Sequence, residues 1–152
     1  MQTFLPVDNF EQSARYLDKR RRGKQRVEGL QIINSLRSGP GAAWYNHPAT
    51  RMWKGYEDCL FKYVGTIIKI WKLNGCKDTI WGKLDSMWSG PLTFPQLVDY
   101  PQDELSKIIS VPFWLGDEEF HRSHRSNLLR KNKEHYSQYF NEVNYLPYKW
   151  PV

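Results

Sequence analysis

The chain has 152 residues, of which 40% are apolar, and this is enough for one domain around one hydrophobic core. A net charge of +6 favours an anionic partner, with nucleic acid first and an anionic membrane surface second. The sequence shows no signal-peptide pattern, no long apolar run and no CxxC pair, which argues against a membrane span and a zinc ribbon. We therefore expect a single-domain, monomeric cytoplasmic protein without a cofactor.

The N-terminal segment, Met1 to Pro6, is short and apolar, and we expect it to pack against the core as a buried arm. Capping-box spacings within residues 8–12 predict a short helix from about residue 9 to residue 18. Gly23 is expected to end this part of the chain and to separate it from a second helix. The second helix is predicted to run to about Leu36 and to stop at the glycines and proline of residues 38–41.

Positive charge is concentrated at this junction, where seven cations in residues 15–26 are opposed by a single aspartate. If the second helix forms, Lys24 and Glu28 lie one turn apart on the same face, with Arg21 and Gln25 beside them as candidate DNA contacts. A carboxylate within a cationic surface suits a site that attracts phosphates and performs acid–base or nucleophilic chemistry. The alternative is a solvent-exposed basic helix with an ordinary Glu–Lys pair.

The middle of the chain carries the strongest helical pattern. His47 precedes a proline and is placed at the N-cap of a predicted long central helix of roughly 25 residues. Arg51, near the start of this helix, is a candidate phosphate contact. Trp44 and Tyr45, in the loop before the helix, are candidates for contact with an unstacked base, although a buried anchor is the alternative for at least one of them.

The second half of the chain predicts further helices. Asp78 is placed as the cap of a helix that extends to Trp88, and prolines divide residues 89–112 into loops with a short helix near residues 101–109. Asp117 is a good cap for a helix from Glu118 to about Lys131, and another helix is expected through residue 140. Because no segment shows a paired-strand pattern, the predicted class is all-α.

The helix that follows Asp117 carries a second candidate surface for phosphates. Its cations are accompanied by two serines, and they are Arg122, Arg125, Arg130 and Lys131. The alternative is again a solvated basic face. Two basic helices in one small domain favour nucleic-acid binding over coincidence.

Three histidines raise the alternative of a metal site. His121 and His124 lie one helical turn apart, and His47 is a possible third ligand. Against this, His124 falls on the same helical stripe as Phe120 and Leu128, which favours a buried, hydrogen-bonded histidine. All three histidines also remain candidates for DNA contact.

The order of these segments resembles the pyrimidine dimer DNA glycosylase family, the small all-α endonuclease V enzymes. The closer likeness is to a branch that begins with an MxTFLP-type segment. The blocks that carry the resemblance cover nearly the whole chain, and they are GKQRVEGLQI at 23–32, NHPATRMWKGYEDCL at 46–60, PFWLGDEEFHRSHRSNLLRK at 112–131 and a final LPYKWP.

The resemblance implies a mechanism and site residues. In that family an N-terminal α-amine attacks C1′ of the damaged nucleotide, displaces the base and leaves a Schiff base, after which β-elimination nicks the strand. By this resemblance Glu28 is the family's glutamate, and Arg22 or Arg26 holds phosphates. Because Gln2 is too bulky to permit removal of Met1, the amine is that of Met1, with a buried Lys24 as the alternative.

Three functions follow as hypotheses. The first is a DNA glycosylase with abasic-site lyase activity on damaged or modified pyrimidines in duplex DNA. The second is a non-catalytic basic DNA-binding module, and the third is a histidine-based metal phosphoesterase.

Overall fold

The computed structural model describes residues 1–152 and is all-α, which confirms the predicted class. No helix is both long enough and apolar enough to cross a membrane. The elements are α1 (Phe10–Tyr16), α2 (Lys19–Ser38), α3 (Pro48–Arg51), α4 (Glu57–Leu73), α5 (Trp81–Met87), α6 (Phe94–Asp99), a 3₁₀-helix (Gln102–Lys107), α7 (Glu118–Lys131) and α8 (Lys133–Tyr136).

Helix α4 is the centre of the fold. Every residue from Cys59 to Ile68 is buried, and the helix packs against α1, α2, α5 and α6. Two close approaches are made at glycines, because a Cβ on Gly29 would lie 2.4 Å from Val64, and a Cβ on Gly65 would lie 2.4 Å from Val98. The neighbours of α4 can therefore approach its backbone more closely than larger residues would permit.

These contacts predict opposite effects for two Gly→Ala substitutions within helices. Gly65→Ala is expected to destabilise the fold by about 1–2 kcal/mol, because overpacking against Val98 and Phe94 outweighs the gain in helix propensity. Gly82→Ala in α5, where nothing lies within 4 Å, is expected to stabilise by about 0.5–1 kcal/mol. Urea unfolding of both variants checks this, and equal effects of the two would contradict the packing argument.

The predicted boundary between the first and second helices is wrong. Gly23 does not interrupt the helix, because α2 is continuous from Lys19, and the break between the helices falls earlier, between Tyr16 and Lys19. Gly23 instead lies against Trp71, where an added Cβ would be 3.0 Å from the ring. The glycine is thus used for close helix packing rather than for a turn.

The predicted long central helix is also wrong in its length. His47 is the N-cap as predicted, since its Nδ1 accepts the N–H of Ala49 at 3.0 Å. The helix stops after Arg51, however, and resumes at Glu57 after a turn in which Gly55 adopts φ +88°. Apolar side chains continue at helical spacing through this turn, which is why periodicity alone missed the break.

Helix α6 was not predicted within residues 89–112. Its start is a capping box in which Thr93 and Gln96 exchange side-chain and backbone hydrogen bonds, and Pro95 occupies the first turn. Helix α8 is shorter than predicted and ends at Tyr136. Helix α7 begins after Asp117 and ends at Lys131, as predicted.

The N-terminal arm is buried as predicted. Gln2, Thr3, Phe4 and Leu5 are all enclosed, although none of them belongs to a helix. The arm runs between α2 and α7, which supply most of its hydrogen-bond partners, and Trp53 and Tyr63 supply two more. Its backbone polar groups are therefore paired by side chains instead of by a helix or a sheet.

Candidate active site

A pocket of about 310 Å³ lies where the N-terminal arm meets α2, the end of α7 and the C-terminal segment. We call it the Met1–Glu28 pocket. It brings together Met1 and Glu28, which were predicted to be catalytic, with four cations, one of which is the alternative amine Lys24, and two aromatic rings. Its lining residues are Met1, Gln2, Phe4, Arg20, Arg21, Lys24, Gln25, Glu28, Lys131 and Tyr148.

Gln25 anchors the arm to α2. Its Nε2 donates to Gln2 O at 2.8 Å, and its Oε1 accepts the N–H of Phe4 at 2.8 Å and lies 2.8 Å from the Tyr63 hydroxyl. Gln25 is 1% exposed, so it is a structural anchor and not the DNA contact that the sequence suggested. A side-chain amide thereby pairs with the arm as a neighbouring β-strand would.

Glu28 is held beside the start of the chain. Its Oε2 accepts a hydrogen bond from Gln25 Nε2 at 3.2 Å and one from the N–H of Gln2 at 3.4 Å. The α-amine of Met1 lies one residue beyond that N–H, which is about 3–4 Å of chain. Met1 and Glu28 therefore line the same small pocket, even though they are separated by 27 residues in sequence.

Two histidines of α7 hold the arm from the opposite side. His121 Nδ1 donates to Leu5 O at 2.7 Å, and His124 Nδ1 accepts the N–H of Leu5 at 3.0 Å. The N–H of Gly116 donates to His121 Nε2 at 2.9 Å, so His121 is neutral with its proton on Nδ1. Burial lowers the pKa of His121, and burial together with the neighbouring His121 lowers that of His124 to about 3.

This arrangement corrects the suggestion that His121 and His124 contact DNA or bind a metal. Both rings are buried and hydrogen-bonded to Leu5, as the sequence pattern around His124 favoured. His47 instead caps α3, and no group of three or more His, Cys, Asp or Glu side chains is arranged to hold a metal ion. The geometry therefore gives no support to the metal phosphoesterase.

The C-terminal segment completes the pocket wall. Ser123 Oγ accepts the N–H of Lys149 at 3.1 Å, Ser126 Oγ accepts the N–H of Leu146 at 3.0 Å, and Asn127 Nδ2 donates to Leu146 O at 2.9 Å. These bonds place Tyr148 in the Met1–Glu28 pocket. The sequence predicted that Ser123 and Ser126 help to bind phosphates. Instead, both serines hold the C-terminal segment in place.

Four cations surround the pocket. Arg20, Lys24 and Lys131 are exposed, and Arg21 is half-buried with an ion pair to Asp18 at 3.3 Å. Partial burial lowers the pKa of Lys131, and repulsion from Arg21 and Arg130 lowers it further, which shows how closely the positive charges are crowded. Such a rim is suited to a polyanion. Arg20, although part of the basic run, was not singled out from the sequence.

Lys24 lies on the pocket as predicted, but its side chain is exposed. The expectation that Lys24 is buried is therefore wrong, whereas its role as the alternative amine stays a prediction. The residue remains a candidate phosphate contact on the same helical face as Glu28.

Three arginines predicted to hold phosphates are engaged within the protein. Arg22 is buried and donates to the carbonyls of residues 14, 15 and 17 at the end of α1. Arg26 forms an ion pair with Asp78 and lies over the ring of Trp71. Arg125 binds two carboxylates and the carbonyl of Pro6 at 2.8 Å. Their role is to join segments of the fold, which corrects the prediction.

The two remaining arginines of α7 differ in position. Arg130 is exposed next to Lys131 and also bonds to Asn127 and to Asn144 O. Arg122 is exposed, but it lies nine positions before Lys131, so the two residues are on opposite sides of α7. Arg130 therefore remains a candidate DNA contact, whereas Arg122 faces away from the surface that Lys131 shares with the pocket.

The loop before α3 lies close to the pocket. Trp44 is 50% exposed, and its ring contacts His47 edge-on at 5.8 Å between centroids. Burial lowers the pKa of His47, and repulsion from the α-amine of Met1 lowers it further. Tyr45 and the exposed Arg51 line a second cleft, of about 450 Å³, together with Lys54 and Tyr56. These residues stay candidate DNA contacts.

A comparison with protein families gives one match for this chain. The sequence model of one family, described as pyrimidine dimer DNA glycosylase, matches residues 1–80. The matched part includes the arm, Glu28, Gln25 and the loop that carries Trp44. Searches of curated proteins and of solved structures give no match for this chain.

Proposed function

Because the chain belongs to the pyrimidine dimer DNA glycosylase family, we propose that it excises a damaged or modified pyrimidine from duplex DNA and then cleaves the abasic strand. The family supports a DNA repair glycosylase and DNA as the substrate. The lyase step, the duplex substrate and the residue roles are our proposal. The observation that carries them is the placement of the Met1 end of the arm and the Glu28 carboxylate in one cation-lined pocket.

In the proposed reaction, the unprotonated α-amine of Met1 attacks C1′ of the damaged nucleotide. The glycosidic C–N bond breaks, the base leaves with the bonding electrons, and a proton passes from the amine to the base. Opening of the C1′–O4′ bond then gives a Schiff base between the enzyme and the sugar. Glu28 stabilises the positive charge that develops on the sugar and moves protons in both steps.

Strand cleavage follows by β-elimination. Removal of a C2′ proton by Glu28 breaks the C3′–O bond, so that the 3′ phosphate departs with its electrons. Water hydrolyses the imine and regenerates the amine. The cations Arg20, Arg21, Lys24 and Lys131 bind the phosphates that flank the damaged nucleotide.

The proposal also covers the domain organisation, the oligomeric state and the salt dependence of DNA binding. We propose that the chain acts as one domain, because a single cluster of 31 buried residues extends from the arm to Phe140, and that it acts as a monomer. Binding is expected to weaken steeply with salt, since several phosphates are neutralised at once.

The test is covalent trapping on a duplex that carries one abasic site, with borohydride and EDTA present. Wild-type protein is expected to form a covalent adduct, and mass spectrometry of its peptides is expected to place the sugar on Met1. Glu28→Gln should slow the trapping by about 10²–10⁴-fold, because the proton-transfer group is lost. The control is Glu104→Gln, an exposed acid of the 3₁₀-helix, which should trap as fast as wild type.

Each contrary result has a distinct meaning. An adduct on Lys24 would overturn the assignment of the amine. Salt-dependent DNA binding without any adduct would favour the non-catalytic DNA-binding module. Equal trapping by Glu28→Gln and wild type would remove Glu28 from the mechanism.

A further inference from the structure

Tyr148 lines the Met1–Glu28 pocket and carries a hydroxyl group that the fold does not use. The residue is half-buried, and its hydroxyl forms no hydrogen bond with another protein group. The oxygen is not one of the enclosed side-chain atoms that lack a partner, so it is open to a ligand in the pocket. A phenol both donates and accepts hydrogen bonds, and here both capacities are free.

The ring of Tyr148 is held in a fixed position. The segment that carries it is hydrogen-bonded to α7 two residues before Tyr148 and one residue after it. The ring contacts Phe4 of the N-terminal arm at 6.4 Å between centroids and His124 of α7 at 5.6 Å. Because Phe4 is only three residues from Met1, the phenol packs against the same arm that brings the α-amine to the pocket.

The hydroxyl of Tyr148 lies among the charges of the pocket. Burial raises the pKa of Tyr148 to about 12, Arg130 and Arg21 oppose this rise, and Glu28 adds to it. Arg21 and Glu28 both line the pocket from α2, so their effect on the hydroxyl indicates that it is close to that wall. The phenol therefore keeps its proton at neutral pH and presents an uncharged O–H donor near the carboxylate.

The proposed reaction needs a proton donor at the ring oxygen of the sugar. When the C1′–O4′ bond opens, its electron pair passes to O4′, and a donor at that atom stabilises the developing charge. Glu28 Oε2 accepts hydrogen bonds from two N–H groups, so this oxygen is arranged as an acceptor. Lys24 and Lys131 carry protons, but both are exposed on the rim, where the phosphates bind in the proposed mechanism. Tyr148 is the neutral donor that is fixed in the pocket wall.

From this geometry, and resting on the Schiff-base reaction proposed above, we infer that Tyr148 is a further catalytic residue, whose O–H donates to O4′ while the α-amine of Met1 is bonded to C1′. As the C1′–O4′ bond breaks, its electron pair stays on O4′ and the proton of Tyr148 moves to that atom. The lone pair of the nitrogen forms the C=N bond, and the phenolate recovers a proton from water. C1′ and O4′ both belong to the sugar, so the reacting nucleotide need not leave the base stack for this step.

The test compares borohydride trapping on two duplexes, one with a natural abasic site and one with an acyclic aldehyde in its place. The sugar of the natural site is mostly closed through O4′, whereas the acyclic aldehyde has no C1′–O4′ bond to open. At saturating protein, Tyr148→Phe should slow trapping by about 10²-fold on the natural site and by less than about twofold on the acyclic aldehyde. The variant keeps the ring and its contacts with Phe4 and His124, and urea unfolding checks that its stability is unchanged.

The matched control is Tyr139→Phe, because Tyr139 is 49% exposed and contacts Tyr16, His135 and Phe140 outside the pocket. This variant should trap like wild type on both duplexes. Equal trapping by Tyr148→Phe and wild type on the natural site would overturn the inference, and so would equal slowing on both duplexes. Absence of a wild-type adduct on the natural site would instead refute the Schiff-base reaction itself, and the role of Tyr148 with it.

Discussion

Gln25→Leu is expected to lower the free energy of unfolding by about 3–5 kcal/mol and to reduce covalent trapping at least about a hundredfold. The substitution removes the bonds to Gln2 O and Phe4 N, and each of these buried groups left without a partner costs about 1–3 kcal/mol. Glu28 also loses one of its two hydrogen bonds. Both the arm and the carboxylate are then free to leave the geometry that the reaction requires.

The matched control is Gln31→Leu on the same helix. Gln31 is exposed, so the change should alter stability by less than about 0.5 kcal/mol and leave trapping intact. Urea unfolding gives the stability, and trapping is compared at a temperature where every variant is folded. Normal trapping by folded Gln25→Leu would show that the arm is positioned without this residue.

Acid is expected to destabilise the protein through the histidines that hold Leu5. The pKa of His124 is lowered to about 3 by burial and by His121, and that of His121 is also lowered by burial, so the folded state favours the neutral forms. Below the unfolded value of about 6.5 the unfolded chain binds more protons, and stability is lost as pH falls. Above that value the contribution is fully present.

For His124 the loss between pH 7 and pH 5 is about 2 kcal/mol, and His121 adds to it in the same direction. The measurement is the free energy of unfolding in urea at several pH values. The comparison is His124→Asn, whose side-chain oxygen can still accept the N–H of Leu5 but does not titrate. A variant with the same pH slope as wild type would exclude His124 as the source of the acid sensitivity.

The sequence predicted the features that depend on local pattern. Helix α7 begins and ends where the Asp117 cap and the spacing of its apolar residues placed it. For α1, two capping-box spacings were open in residues 8–12, and the structure shows the one that starts at Asn9. The shared face of Lys24 and Glu28 followed from the geometry of one helix, without knowledge of the tertiary structure. The family resemblance was also visible in the sequence, because it is carried by continuous blocks of residues and needs no knowledge of the tertiary structure.

What the sequence did not give depends on contacts between distant segments. Arg22 and Gln25 belong to the basic stretch and look equivalent to Arg21 and Lys24, yet they point inward to α1 and to the arm. A count of charge cannot distinguish a guanidinium that caps a helix end from one that binds a phosphate. The assignment of His121 and His124 to Leu5 likewise required a contact across more than 110 residues.

The turn at residues 52–56 was missed for a related reason. Met52 and Trp53 are buried and continue the apolar pattern of the neighbouring helices. Apolar spacing alone therefore does not show that the backbone leaves the helical conformation there. A signal was present in Gly55, which takes φ +88° in the turn between α3 and α4. Glycine within a helical pattern is ambiguous, as Gly23 and Gly65 show by remaining inside their helices.

The bonds from α7 to both Leu5 and the segment around Leu146 have a consequence for the order of folding. Closing contacts between segments more than 110 residues apart costs loop entropy, so helices α1, α2 and α4 can pack before the pocket exists. A fragment limited to residues 1–80 would keep Glu28 but lose the histidines, Lys131 and Tyr148 that enclose the arm. In the mechanism proposed above, Met1 therefore reaches its reactive position only after α7 and the C-terminal segment have packed, and a partly folded chain is expected to bind DNA before it is able to cut it.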